Sequence, residues 1–167
     1  MKSKALRIFI LFLFFIVGCN SQVQVTQVID GDTFLLSDGN IVRVLGIDFP
    51  DPKKMHSEWK VYNLTKERTQ DCYDEGNRIV SKILIGEEVT LIKSYTELNN
   101  SDYIHIDKYG RLLRYVEIGD IELEAFLLKN GYAIMYDPVQ PPLCERCGYY
   151  KTLEVEAREN KVGCLWE

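Results

Sequence analysis

Thr33-Phe34-Leu35-Leu36-Ser37-Asp38-Gly39-Asn40-Ile41-Val42-Arg43-Val44-Leu45-Gly46 reads as two apolar runs joined by four turn residues. That is the pattern of a β-hairpin. Upstream, Val23, Val25 and Val28 stand among polar residues, which extends the sheet by a strand over 20–30. Downstream, Asp51 to Gln70 loses all periodicity, so a long loop is expected there, of the kind that carries function. Asp71 to Ile85 places Ile79, Ile83 and Leu84 on one helical face, and Gly86 follows where a helix end favours glycine. Glu88 to Ile92 and Leu112 to Ile118 read as two further strands. Helices are expected over Ile121 to Asn130, closed by Gly131, and over Tyr149 to Lys161, closed by Gly163. Five strands with a helix after the third and two helices at the end give a mainly-β α+β fold. The order is that of an OB-type five-stranded barrel.

The N-terminus is of another kind. Lys2, Lys4 and Arg7 precede the apolar run Ile8 to Val17, which ends at Gly18-Cys19. The run is too short to span a bilayer, and its basic flank and small residue fit an export signal. Ile16-Val17-Gly18-Cys19 resembles the lipobox of prokaryotic lipoproteins, so residues 1–18 are expected to be cut off and Cys19 lipidated. Residues 19–167 then form the single domain, exported and anchored at the membrane surface as a cell-envelope lipoprotein. A monomer is expected.

The mature chain carries 17 basic and 25 acidic residues, a net charge of −8. Long-range steering then works against approach to a polyanion; affinity for one must come from a local basic patch plus a bound cation. Such a patch is present in pieces. Val28-Ile29-Asp30-Gly31-Asp32-Thr33, Arg43 to Asp51, and Asp107-Lys108-Tyr109-Gly110-Arg111 put acids and arginines at the ends of apolar runs. Acids hold a divalent cation and arginines neutralise charge that builds on a phosphate, the two needs of metal-assisted phosphodiester hydrolysis. Taken singly, each has a plainer reading: Asp30 and Asp32 as turn caps, Arg43 in a surface salt bridge, Arg111 as a strand-end residue. His56 and His105 lack partners at metal spacing and read as surface residues.

Those three blocks, with Tyr73, Gly131-Tyr132-Ala133 and Leu165-Trp166, resemble the staphylococcal nuclease, or thermonuclease, family from about Thr26 to Trp166. The resemblance implies a five-stranded OB barrel with three helices and a Ca²⁺-dependent nuclease acting on DNA and/or RNA with little sequence preference. It implies Asp32 and Asp48 as carboxylate ligands of calcium, with the backbone carbonyl of Phe49 as a third. Arg43 and Arg111 would grip the scissile phosphate, and Asp51 would orient or deprotonate the attacking water. Lys108, Tyr109 and Tyr136 would line the nucleotide site. Two departures stand out: Phe49 replaces a threonine, and Asp51 replaces a glutamate. A base displaced by about 1 Å can lose a hundredfold in rate. Trp59 and Tyr62, in the long loop, offer stacking platforms for bases or packing against the barrel. These departures and the acidic balance leave a second class open: a weak or inactive barrel that binds nucleic acid or a protein partner. A structural envelope protein is the third.

Cys72, Cys144, Cys147 and Cys164 remain in the mature chain; two disulfides are the first reading, zinc the second and a redox dithiol the third. A straight helix from Tyr149 to Lys161 sets Cys147 and Cys164 roughly 20 Å apart. Bridged Cα atoms lie within about 7 Å, which excludes that pair. Cys144–Cys164 is disfavoured similarly, and Cys144–Cys147 needs special backbone geometry. Cys72 is therefore expected to pair with Cys144 or Cys147, with Cys164 free or joined to the one left over.

Overall fold

A computed structural model describes residues 23–53, 64–94, 105–136 and 144–167. The lipobox with Cys19, the loop aromatics Trp59 and Tyr62, and the Pro141-Pro142 connector lie outside them. The strands are β1 (Val23–Asp30), β2 (Thr33–Leu36), β3 (Ile41–Val44), β4 (Ile47–Asp48), β5 (Glu88–Ile92), β6 (Leu112–Ile118), β7 (Ile121–Glu122) and β8 (Ile134–Met135). The helices are α1 (Lys66–Leu84), α2 (Leu123–Lys129) and α3 (Cys147–Glu159).

The hairpin forms where the turn residues place it, with Phe34 opposite Val42 and Thr33 opposite Arg43. Asp38 accepts from the backbone N–H (3.0 Å) and side-chain amide (2.8 Å) of Asn40, which pins the turn. β1 then serves two neighbours. Its outer residues Val23 and Gln24 pair with β5, while Val25 to Asp30 pair with β2 across two register shifts. Such bulges bend a strand and let a small sheet curl on itself. β5 pairs antiparallel with β6, and β6 pairs parallel with β3, which closes a five-stranded barrel in the order β1-β2-β3-β6-β5. This is the OB-type barrel with three helices that the element order called for.

Alternation fills the barrel. Val25, Phe34, Leu36, Val42, Val44, Val89 and Val116 are buried together with Val80 and Leu84 of α1 and Leu123 and Leu127 of α2. α3 adds Tyr150 and Leu153, and it is fastened at its start, where Arg146 pairs with Glu122 (2.9 Å) and lies 4.4 Å over the Tyr115 ring.

Three sequence expectations need correction. Helix α1 starts at Lys66, not Asp71, because Thr65 caps it by accepting from the Arg68 N–H (3.2 Å). Its first turns, Lys66 to Gln70, are polar and exposed apart from half-buried Arg68 and buried Thr69, so they carry no apolar period. The strands β4 and β8 pair over two residues each, too short for any pattern. The cysteine pairing also differs: the bridges are Cys72–Cys164 and Cys144–Cys147, with Cα separations of 5.4 and 5.3 Å. The chain after α3 turns back along α1, where Arg68 donates to the Cys164 carbonyl (2.8 Å) and Leu165 packs with Leu64, Cys72 and Ile134. That long-range placement, not helix geometry, selects the partner of Cys72.

Two predictions follow from the packing. Cys72–Cys164 ties residues 92 apart. Converting both to serine should therefore cost about 2–4 kcal/mol and lower Tm by roughly 5–15 °C. Non-reducing peptide mapping should recover the Cys72–Cys164 pair; a Cys72–Cys144 peptide would contradict it. The second concerns Glu124, fully buried, with one carboxylate oxygen accepting from the Val116 N–H (3.0 Å) and the other without a hydrogen-bond partner among the described residues. Burial, and then the charge of Glu122, push its pKa well above the ordinary carboxylate range. A raised folded-state pKa means the neutral acid stabilises fully below about pH 4, and that contribution is lost as pH rises through the folded-state value. Glu124→Gln should therefore flatten the decline in stability toward alkaline pH in urea unfolding. Parallel wild-type and variant profiles would show that Glu124 does not titrate across folding.

Candidate active site

Closure of the barrel brings the β1–β2 turn, the rim of β3 and the short strand β4 to one end. Asp32, four per cent exposed, sits in the β1–β2 turn. Its backbone carbonyl accepts from the Val44 N–H (2.8 Å), and its own N–H donates to Asp30 (3.3 Å), so the turn is held from both sides. Arg43 alternates outward between buried Val42 and Val44 and reaches across the rim. Its Nη1 forms an ion pair with the Asp32 carboxylate, and its Nη2 pairs with Asp48 (2.9 Å) while donating to the Ile47 carbonyl (3.2 Å). The side chains of Arg43, Asp32 and Asp48 are only 14, 5 and 13 per cent exposed, so this is not the surface salt bridge of the plainer reading.

The turn between Arg43 and Asp48 is shaped by Gly46 at φ +84°, a left-handed conformation that favours glycine. A Cβ there would also lie 2.6 Å from Cys144 Sγ and 2.9 Å from Tyr150 Cε2. Tyr136 donates its N–H to the Gly46 carbonyl (3.0 Å), which puts this residue beside the same turn. Phe49 follows Asp48; its backbone N–H donates to the same Asp32 oxygen that meets Arg43 (2.8 Å). Asp51 accepts from the Lys53 N–H (2.8 Å), a local turn of the kind short acidic side chains make.

Arg111 belongs to a second piece. Asp107 accepts from the N–H groups of Tyr109 (2.9 Å) and Arg111 (3.0 Å), and its other oxygen takes the Arg111 Nε and Nη2 (both 2.7 Å). Burial opposes ionisation of Asp107, but the Arg111 N–H, its guanidinium and the Tyr109 N–H together hold the carboxyl below its usual range. The Lys108 Nζ and the Arg111 guanidinium lie 5.1 and 5.4 Å from the ring centre of Tyr109, which is highly exposed. Lys108, Tyr109 and Arg111 therefore form one cationic, aromatic loop. It adjoins the first piece through the sheet, where Leu112 and Leu113 pair with Val42 and Arg43; burial pulls the Arg43 pKa down, Asp48 and Asp30 push it up, and the charge of Arg111 pulls it down again.

The structure thus gathers Asp32, Arg43, Asp48, Phe49 and Arg111 at one end of the barrel, with Tyr136 beside them. Sequence reasoning quoted Asp107 but gave it no role. The signal was present: an aspartate two residues before one N–H donor and four before an arginine is an acceptor turn with a charged lid.

Asp30, Asp32 and Asp48 set three carboxylates against the single guanidinium of Arg43. The excess negative charge and the hard oxygen donors suit a divalent cation such as Ca²⁺. Among the described residues no group of three or more His, Cys, Asp or Glu side chains is placed to hold a metal ion. Asp32, Asp48 and the Phe49 carbonyl would hold such an ion with water completing its shell.

Known proteins resemble this chain over most of its length. Aligned over 149 residues, the chain is 30% identical to the SPbeta prophage-derived endonuclease YokF and 29% identical to Endonuclease YncB, both of Bacillus subtilis (strain 168). Each alignment covers 86% of the chain but only 43% and 61% of those relatives, so the chain spans about half their length. The profile of the family described as Staphylococcal nuclease homologue matches residues 41–167, from β3 through the end of the chain. The chain therefore belongs to the staphylococcal nuclease homologue family.

Proposed function

We propose that this chain is a Ca²⁺-dependent nuclease that hydrolyses phosphodiester bonds of DNA and/or RNA with little sequence preference, at the cell envelope. The observation that carries the proposal is Arg43 held between Asp32 and Asp48, on a strand paired with the one that follows Arg111. When bound, a cation polarises a phosphate oxygen and lowers the pKa of nearby water. The chain supplies the rest. Asp32, Asp48 and the Phe49 carbonyl would hold the ion, and Arg43, released from its carboxylates, would offer its fork to the phosphate. Arg111 approaches the same phosphate through the edge that Asp107 leaves open, so two guanidiniums meet the charge that accumulates in the transition state. Lys108 and Tyr109 hold a neighbouring nucleotide, and Tyr136 flanks it. Asp51 orients the attacking water, with less reach than a glutamate would have. All these groups come from one chain, so a monomer suffices.

The local basic loop offsets the acidic balance of the chain over short range, where screening matters least. The lipobox at Cys19 supports membrane anchoring: the full chain should partition into detergent and a chain starting at Asn20 into the aqueous phase. One observation favours the binding-only alternative: the Asp51 carboxylate is engaged by its own loop through the Lys53 N–H.

Metal removal tests the proposal most simply. Single-stranded DNA incubated with the chain truncated before Cys19 should be degraded with Ca²⁺ and left intact with chelator, because a shell completed by water binds calcium modestly. Undiminished cleavage in chelator would rule out the calcium mechanism. The arginines test the chemistry: Arg43→Ala or Arg111→Ala should each lower kcat by about a hundredfold or more, with smaller effects on KM. Wild-type turnover in both variants would assign these residues to the surface.

A further inference from the structure

The side chain of Phe49 takes no part in the proposed chemistry, yet the surrounding chain is built around it. The ring is buried and sits between two glycines, Gly31 in the turn that carries Asp32 and Gly76 in the middle of α1. A methyl group on either glycine would overlap the ring; at Gly76 it would come within 2.9 Å of Phe49 Cε2 and closer still to Cζ. Neither glycine has a left-handed φ, so backbone conformation requires neither. Gly76 also weakens the helix it interrupts. Space for the ring is the remaining reason for both. Tyr73 closes the side of the slot, its ring centre 6.2 Å from that of Phe49. The wedged residue is the one whose N–H donates to Asp32 (2.8 Å), on the carboxylate oxygen that also meets Arg43.

We propose that Phe49 is a positioning residue: its ring, locked between the Asp32 turn and α1, fixes its own backbone amide on Asp32 and so holds that carboxylate in the orientation in which it shares Arg43 with Asp48. The consequence for cation binding rests on the calcium reading above; the hold on Asp32 does not. A carboxylate that has lost an orienting hydrogen bond spends part of its time turned away from the ion, and loss of such a support weakens metal affinity by about 10–100-fold.

The test uses two readouts on the chain truncated before Cys19. Hydrogen exchange of the residue-49 amide is followed by NMR in chelator, with the buried barrel residue Val42 as reference, and Ca²⁺ binding is measured by calorimetry. Phe49→Ala removes the wedge, and Gly76→Ala keeps the ring but displaces it, so the second variant decides the matter if the first does not fold. In both, the residue-49 amide should exchange roughly tenfold faster while Val42 keeps its protection, because the opening is local. The Ca²⁺ Kd should rise about tenfold. Phe49→Leu, which refills most of the slot, should return both values close to wild type. If protection at residue 49 falls only in step with Val42, or if both alanine variants bind Ca²⁺ as tightly as wild type, the proposal is overturned. If the wild-type chain itself binds no Ca²⁺ while residue 49 responds as described, the calcium reading fails and the positioning role stands.

Discussion

One guanidinium between two carboxylates governs the functional end of this protein. Arg43 reaches Asp32 on one side and Asp48 on the other, and each contact joins a different stretch of chain to β3. Three carboxylates around one buried guanidinium would repel one another in a medium that screens poorly. Arg43 relieves that repulsion only in part. The two ion pairs tie the rim together, and under the proposed function a cation would take over part of this charge balance. The barrel supplies the rigidity: Thr33 pairs with Arg43 across the hairpin, and Val44 N–H meets the Asp32 carbonyl. A site built on strand ends of a closed sheet has little freedom to relax.

The second basic element is prepared differently. Asp107 spends its carboxylate entirely on Tyr109 and Arg111, so the loop is organised by a local electrostatic knot and not by the sheet. In an acidic chain this matters. Arg111 is kept from pairing at random with other carboxylates, and it lies where its charge is felt at Arg43. Attraction of a polyanion at long range is weak for such a protein, so in the proposed function the short-range arrangement would carry the binding.

Much of this was legible in the sequence, and what was not has identifiable causes. The Ser37-Asp38-Gly39-Asn40 turn encodes its hairpin locally, and Gly86, with φ +83°, marks the end of α1 as expected. Arg43, Asp48 and Arg111 stand in motifs that announce charge at strand ends. The start of α1 was hidden because a capped, solvent-facing turn needs no apolar period. The bridge from Cys72 to Cys164 was hidden because it depends on where the C-terminal tail lies against α1, a tertiary fact. The wedge of Phe49 was hidden for a similar reason: glycine at 31 and 76 becomes meaningful only once both are seen to face the same ring. Likewise, spacing gives an arginine no partner, so the shared hold of Arg43 on two acids had to come from the fold.

The central claim is that Asp32 and Asp48 exchange Arg43 for a divalent cation, leaving the guanidinium available to phosphate. A crystal structure of the protein with Ca²⁺ would test it most directly. The account predicts an ion between Asp32 and Asp48, in contact with the Phe49 carbonyl, and an Arg43 side chain withdrawn from at least one of the two carboxylates. Both ion pairs unchanged, with calcium elsewhere on the protein or absent at saturating concentration, would contradict it.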